Sequence, residues 1–372
     1  MMRQKRAALF NNHNKYTENF LQAVEFRYSK WIPCMVSIMP ATWIKYKEEV
    51  EKIVLGHPKL FLHYEKGDFK KIKLNRAYQK GRWKDVWGIV WDNIEEGLDS
   101  APVEDEAPLR NWESLANYQA PDPLLLDWFG EKIDWEKRKT QLEQAKREGN
   151  LAAGSLVHGF MYMWLYYLRG FTNLMMDVAT GEPKLEHLIK MVLEYNLKLV
   201  NKWIEIGAEI IYFGDDLGLQ KSLPISPSDW RKYLKSCYAE MFGVCKKAGA
   251  YVYLHSDGRI LKIIDDLIEC GVSIINPQIR ANGLEELEKV AKGKVCIHLD
   301  LDRQLFPFAT PREIKSHIWK VVQVLGLRKG GLMLHAECEP DVPLENIETI
   351  CQVLEEVGTG PSMSVSEFRE NR

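Results

Sequence analysis

Beyond residue 150 the chain alternates short apolar runs with stretches of helical periodicity. "AGSLVHG" (153–159) is an apolar run of strand length. "HLIKMVLEYNLKLVNKWIEIG" then keeps apolar residues on one helical face and stops at Gly207. The pattern repeats. "AEIIYFGDD" (208–216) reads as a strand, and "SPSDWRKYLKSCYAEMFGVCKKAG" as a helix capped by Ser226 or Ser228 and closed by Gly249. "AYVYLHSDG" is a strand and "RILKIIDDLIECG" a helix; "VSIINP" (272–277) is a strand and "LEELEKVAKG" a helix. "KVCIHLD" (294–300) is a strand, followed by the helix "TPREIKSHIWKVVQVLG", with Thr at its cap and Pro in its first turn. "GGLMLHAE" (330–337) and "PLENIETICQVLEEVG" complete the series.

Strands separated by helices of this length specify βα units and a parallel sheet. Six such strands follow residue 150; "WIPCMVSIMP" (31–40) supplies a seventh and "KLFLHYE" (59–65) an eighth. The expected fold is α/β, a single (β/α)8 TIM barrel spanning the chain. A doubly wound sheet is the competitor, but no glycine-rich phosphate fingerprint follows any strand. Residues 66–125 break the rhythm. "GRWKDVWGIVWDNIEEG" has tryptophans at four-residue spacing, and an acidic, proline-rich connector runs on to "PDP" (121–123). This stretch is expected to be an insertion covering the barrel mouth.

In such a barrel the chemistry sits at the carboxyl ends of the strands. His158, Asp215 and Asp216, His255 and Asp257, Asn276, His298 and Asp300, and His335, Glu337 and Cys338 all fall at strand ends. Each alone is explained by a turn, a cap or a hydrogen-bonded core residue; their recurrence on successive strands is not. On extended chain, residues i and i+2 face one side, so His255 and Asp257 can serve one metal ion, and Gly258 lets the chain turn after them. Imidazole and carboxylate both suit zinc. A third ligand is available in "HAEC" from His335, Glu337 or Cys338. An acid–base pair without metal would use the same atoms.

Charge and composition narrow the class. A formal net charge of −2, with no basic run, gives no footprint for nucleic acid. No apolar stretch is long enough to cross a membrane, and the basic N-terminus has no apolar core of signal-peptide length. The 7 cysteines are odd in number and without framework spacing, which suits reduced thiols and a cytoplasmic location.

The order of elements from about 17 to 358 resembles the uroporphyrinogen decarboxylase superfamily, which includes zinc-dependent, cobalamin-linked methyltransferases. The resemblance rests on "NFLQAVEFRYSKWIPCMV", "DVWGIVW", "GFMYMWLYYLRGFTNLMMD", "FGDDLGLQKSLPISPSDWRKYL" and "PLENIETI", in that order. True porphyrinogen decarboxylases carry arginines after the first strand to hold substrate carboxylates. Here that place reads "VSIMPATW", so that activity is not expected. Methyltransferases to coenzyme M carry His-x-Cys-Gly where this chain has "HSDG": His255 matches, and Asp257 stands in place of the cysteine. A carboxylate replacing a thiolate makes zinc harder and better suited to polarising an ether oxygen.

The resemblance therefore implies an aryl methyl ether O-demethylase type of methyltransferase. It would pass a methyl group from a methoxylated aromatic to the cobalt of a separate corrinoid protein. The implied metal ligands are His255, with Cys338 or Glu337, and Asp257. His335 would serve beside the metal, as a supporting group or as an acid that protonates the leaving oxygen. Asp85 and Asp216 are the other catalytic candidates. Asn276 and Asp302, the latter in "DLDRQLFPFATP", are candidates for substrate contact. Trp83, Trp87 and Trp91, with Tyr162, Trp164 and Tyr166, could line a pocket for a flat ring; the plainer reading makes the tryptophans one buried helix face. A metal-free lyase or decarboxylase of a small acid, a methylcorrinoid:thiol methyltransferase and a non-catalytic corrinoid-protein binder are the alternatives. A homodimer is left open.

Overall fold

The computed structural model describes residues 13–359. Its contacts divide the chain into two compact units. The first comprises 13–18, 81–92 and 100–276, and the second 19–80, 93–99 and 277–359.

The first unit is built on parallel strands. β5 (Ala153–Ser155) pairs with β6 (Ile210–Gly214), β6 with β7 (Tyr251–Ser256), and β8 (Ile274–Pro277) follows β7 in the sheet order. The connections are helical. Lys184–Glu205 buries Leu188, Val192, Leu199 and Trp203 on one face, as its periodicity requires. The helix expected over 226–249 is instead two, Pro227–Tyr233 and Lys235–Ala248. Ser226 caps the first by accepting from the Asp229 N–H at 3.1 Å, and Gly249 closes the second at φ 84°. Phe160, Phe213, Trp230, Tyr238 and Phe242 fill the space between strands and helices, all essentially inaccessible.

The tryptophan-rich stretch is not a helix. β2 (Gly81–Lys84) and β3 (Val90–Asn93) belong to a small sheet with β4 (Ala101–Pro102), and Trp91 pairs antiparallel with Pro102. Asp85 makes the turn between β2 and β3. Its carboxylate accepts the N–H groups of Trp87 and Ile89 at 2.9 Å, and the indole N–H groups of Trp91 at 2.9 Å and Trp128 at 3.0 Å. Four-residue spacing fitted a helix face equally well, but a carboxylate that gathers nearby donors favours a turn.

The second unit repeats the parallel scheme. β9 (Cys296–Asp300) pairs with β10 (Leu332–Cys338), and β10 with β1 (Cys34–Ile38). The helix Pro311–Leu325 starts as expected. Thr310 and Glu313 form a reciprocal capping box, worth about 1 kcal/mol. The strand expected at 59–65 is a run of turns, with Leu62 45% exposed. Seven parallel strands are therefore described in an α/β alternation of the TIM-barrel type, against an expectation of eight. No described helix is long and apolar enough to cross a membrane.

Candidate functional site

In the first unit, side chains from the ends of β6 and β7 and from the turn after β5 meet. His158 lies three residues past β5, and its Nε2 is 3.2 Å from Asp216 Oδ2. His255 on β7 places Nε2 3.8 Å from Asp216 Oδ1 and 3.2 Å from Asp257 Oδ1. The two imidazole centroids are 5.6 Å apart. Gly214 makes this closeness feasible, because a Cβ there would come within 2.6 Å of His158 Nδ1. The loops that carry the carboxylates are hydrogen-bonded to each other. The Asp257 N–H donates to Asp216 Oδ1 at 3.0 Å, and the Gly218 N–H to the Asp257 carbonyl at 3.2 Å. Gly258 turns the chain at φ 75°, and a Cβ on it would meet Gly218 O at 2.1 Å, so only glycine fits.

Neighbouring carboxylates here behave oppositely. Asp215 is fully buried, and burial pushes its carboxyl up to about 6 even though the Tyr238 hydroxyl and the Met163 and Tyr162 N–H groups donate to it. It holds the start of the helix Tyr162–Arg169. For Asp216, burial works in the same direction, but the hydrogen bond from His158 and the charges of His158 and His255 outweigh it and hold the carboxyl below its ordinary value. Burial disfavours the charged form of His158, yet its hydrogen bond and ion pair with Asp216 raise its pKa.

Each of His158, Asp216 and His255 offers a ligand atom within 4.8 Å of the others. Two imidazoles and a carboxylate form a nitrogen–oxygen donor set suited to zinc with a position left open. Asn276 completes the fit. Its Oδ1 lies 2.7 Å from His255 Nδ1, so Nδ1 carries the proton and Nε2 presents a lone pair toward Asp216. Asn276 thus orients His255. His158 was noted in the sequence only as a strand-end residue.

The aromatic candidates cluster in the same unit. Trp83 stacks on Trp91 with centroids 5.7 Å apart, and its indole donates to Ser100 Oγ at 3.0 Å. Trp87 packs edge-on against Trp164 and lies 4.6 Å from the Tyr195 ring. Trp87 and Tyr162 are 2% and 3% exposed, whereas Tyr166 is half-buried. Asp85, whose carboxyl is raised by burial against the pull of its indole donors, has its oxygens engaged by the turn described above.

The remaining candidates lie in the second unit. His335 Nδ1 is 2.7 Å from Asp300 Oδ1, and its Nε2 is 2.9 Å from Ser37 Oγ. Glu337 is paired with Arg303. Glu339 is pushed up to about 7, chiefly by burial and by the charge of Glu337. Asp302 accepts from Arg280 Nε at 2.7 Å and from the Leu305 N–H at 3.2 Å, which anchors its loop. Cys338 is fully buried, and burial, with the charges of Glu337 and Glu339, raises its thiol far above the ordinary value. Strand alternation sets it on the face opposite His335 and Glu337, with Leu334 and Ala336.

Comparison with known proteins supplies the family. No curated protein matches the sequence. Among solved structures, a methyltransferase from Methanosarcina mazei is similar in fold, with a TM-score of 0.59 and 15% identity over 92% of this chain and 98% of that one. A B12-independent methionine synthase from a Shewanella species matches over 61% of this chain and 66% of that chain, with 13% identity and a TM-score of 0.39, too low to bear on the fold. The sequence model described as uroporphyrinogen decarboxylase (URO-D) matches residues 97–357, the greater part of the chain and all of β5 to β10. The chain therefore belongs to the uroporphyrinogen decarboxylase family.

Proposed function

We propose that the protein is a corrinoid-linked methyltransferase of the O-demethylase type, cytoplasmic, taking a methyl group from a methoxylated aromatic and passing it to the cobalt of a separate corrinoid protein. The observation that carries this reading is the His158–Asp216–His255 donor set, with Asn276 fixing the tautomer of His255. Family membership and the fold shared with a methyltransferase support it. The (β/α)8 barrel, with residues 66–125 as its cap, is the fold that goes with it.

The three residues would hold zinc, which supplies a Lewis acid for the departing donor oxygen. The protein's own groups do the rest. Asn276 keeps the His255 proton on Nδ1. Asp216 stays ionised between two imidazoles. The Asp257 N–H restrains Asp216, and the Asp257 carboxylate lies 3.2 Å from His255 Nε2. Tyr162, Tyr166 and Trp87 are the aromatic residues that would flank a flat ring; Tyr162 packs edge-on against Tyr166, and Trp87 against Trp164. The donor set contains no thiolate, which favours an ether donor over a methylcorrinoid:thiol reaction.

Metal analysis and a methylation assay test the reading together. Purified protein should carry about one zinc per chain, and a reduced corrinoid protein should become methylated when a methoxybenzene is added. Full methyl transfer in exhaustively chelated protein would remove the zinc from the reading, and a protein that takes up no metal and leaves the corrinoid protein unmethylated would move the metal-free lyase reading to first place.

A further inference from the structure

The sheet of the second unit carries a polar row on one face. β9 and β10 are in register with Asp300 opposite His335, and β10 and β1 with Glu337 opposite Ser37. Paired residues of neighbouring strands project to the same face, and alternation puts Ser37, His335, Glu337 and Asp300 together there. Val36, Leu334 and Ala336 take the other face.

The contacts along this row have a direction. A carboxylate only accepts, so the 2.7 Å contact between Asp300 and His335 is an Nδ1–H donation. His335 Nε2 is then the bare nitrogen and accepts the Ser37 hydroxyl at 2.9 Å. His335 and Asp300 are only 9% and 8% exposed, while Ser37 is half-buried. The arrangement is a shielded base, oriented by a carboxylate, with a reachable hydroxyl at its end. Arg303, held by Glu337 directly across the ladder from Ser37, brings a guanidinium to the neighbourhood.

We propose that Asp300, His335 and Ser37 form a relay that makes Ser37 Oγ a nucleophile toward activated esters. This is an acyl-transfer or hydrolytic activity distinct from methyl transfer. In the step, the Ser37 Oγ bonds to the ester carbonyl carbon while its proton passes to His335 Nε2. The ester C–O bond breaks, and His335 returns the proton to the leaving alcohol. Water then attacks the acyl carbon, giving a proton to His335, and the carboxylic acid departs as Ser37 regains its hydrogen. Arg303 favours esters that carry or develop negative charge near Ser37.

A fluorophosphonate probe tests this on the full-length chain. Its phosphorus bonds to Ser37 Oγ, the P–F bond breaks, fluoride leaves and the hydroxyl proton goes to His335. Intact mass and peptide mapping should show one adduct, on Ser37, absent in Ser37→Ala. Asp300→Asn, nearly isosteric, should slow labelling by about 10⁴-fold. No adduct on Ser37 under conditions that label a known serine hydrolase to completion would overturn the proposal. So would an Asp300→Asn variant that labels at the wild-type rate. The readout does not depend on methyl transfer, so its failure is separate from failure of the zinc reading.

Discussion

His255 and His335 each sit on a parallel strand, and each gives its Nδ1 proton to a residue of the neighbouring strand. The partners differ in charge. His255 donates to the amide oxygen of Asn276, His335 to the carboxylate of Asp300. The same tautomer results, with different consequences for Nε2. Beside a neutral amide, the His255 Nε2 faces the anions Asp216 and Asp257, an arrangement that attracts a cation. Beside a carboxylate, the His335 ring is held with its Nε2 on the Ser37 hydroxyl, an arrangement that can take a proton. The residue on the next strand, more than the histidine, sets what the histidine is for.

The largest expected effect separates the two histidines outright. His255→Ala should lose bound zinc, with methyl transfer down by at least about 10³-fold, since a ligand and its Lewis acid go together. His335→Ala should keep its zinc. Metal content after gel filtration reads both, and near-equal loss in the two variants would collapse the distinction.

A smaller effect concerns the partner alone. Asn276→Ala should leave the ring in place but free its orientation, lowering zinc affinity by about 10–100-fold in a competition titration with a chelator. Unchanged affinity would mean that the amide has no part in tuning His255.

The smallest effect is a titration. In metal-free protein His158 should titrate above 6.5, because Asp216 favours its charged form. A raised imidazole pKa stabilises the fold fully below the unfolded-state value and loses that contribution as pH rises through the folded one. Thermal stability of metal-free protein should therefore decline slightly on rising through the His158 midpoint, which proton NMR locates. In Asp216→Asn the midpoint should fall, since burial then acts without its largest opponent.

Sequence made some of this legible. Thr310 and Glu313, Gly207 and Gly249 mark their helices because capping is local, and short apolar runs such as "CIHL" mark strands buried on both faces. Gly258 was readable from its place after His255 and Asp257. The turn at Asp85 was not, since Trp91 and Trp128 donate to it from six and forty-three positions away. "KLFLHYE" has the apolar content of a strand, yet turns occupy the segment and leave Leu62 exposed. Ser37 gave no signal at all. A serine in a strand is ordinary, and His335 lies 298 positions along the chain. Strand register, a non-local property, brings the two together. Strand alternation separates Glu337 from Cys338, two neighbours that the sequence offered as equals.

The contact between Gly218 and Gly258 has a thermodynamic consequence. With the loops after β6 and β7 laced together by Gly218 N to Asp257 O, Arg259 N to Leu219 O at 2.8 Å and Leu217 N to Ser256 Oγ at 3.0 Å, neither loop moves without the other. The ordering entropy of the cradle around Asp216 and His255 is lost when the chain folds, not when a guest arrives. Capture should then proceed without a slow closing phase, its rate set by the guest shedding water, and the amides of 216–219 and 257–259 should resist hydrogen exchange equally with the site filled or empty.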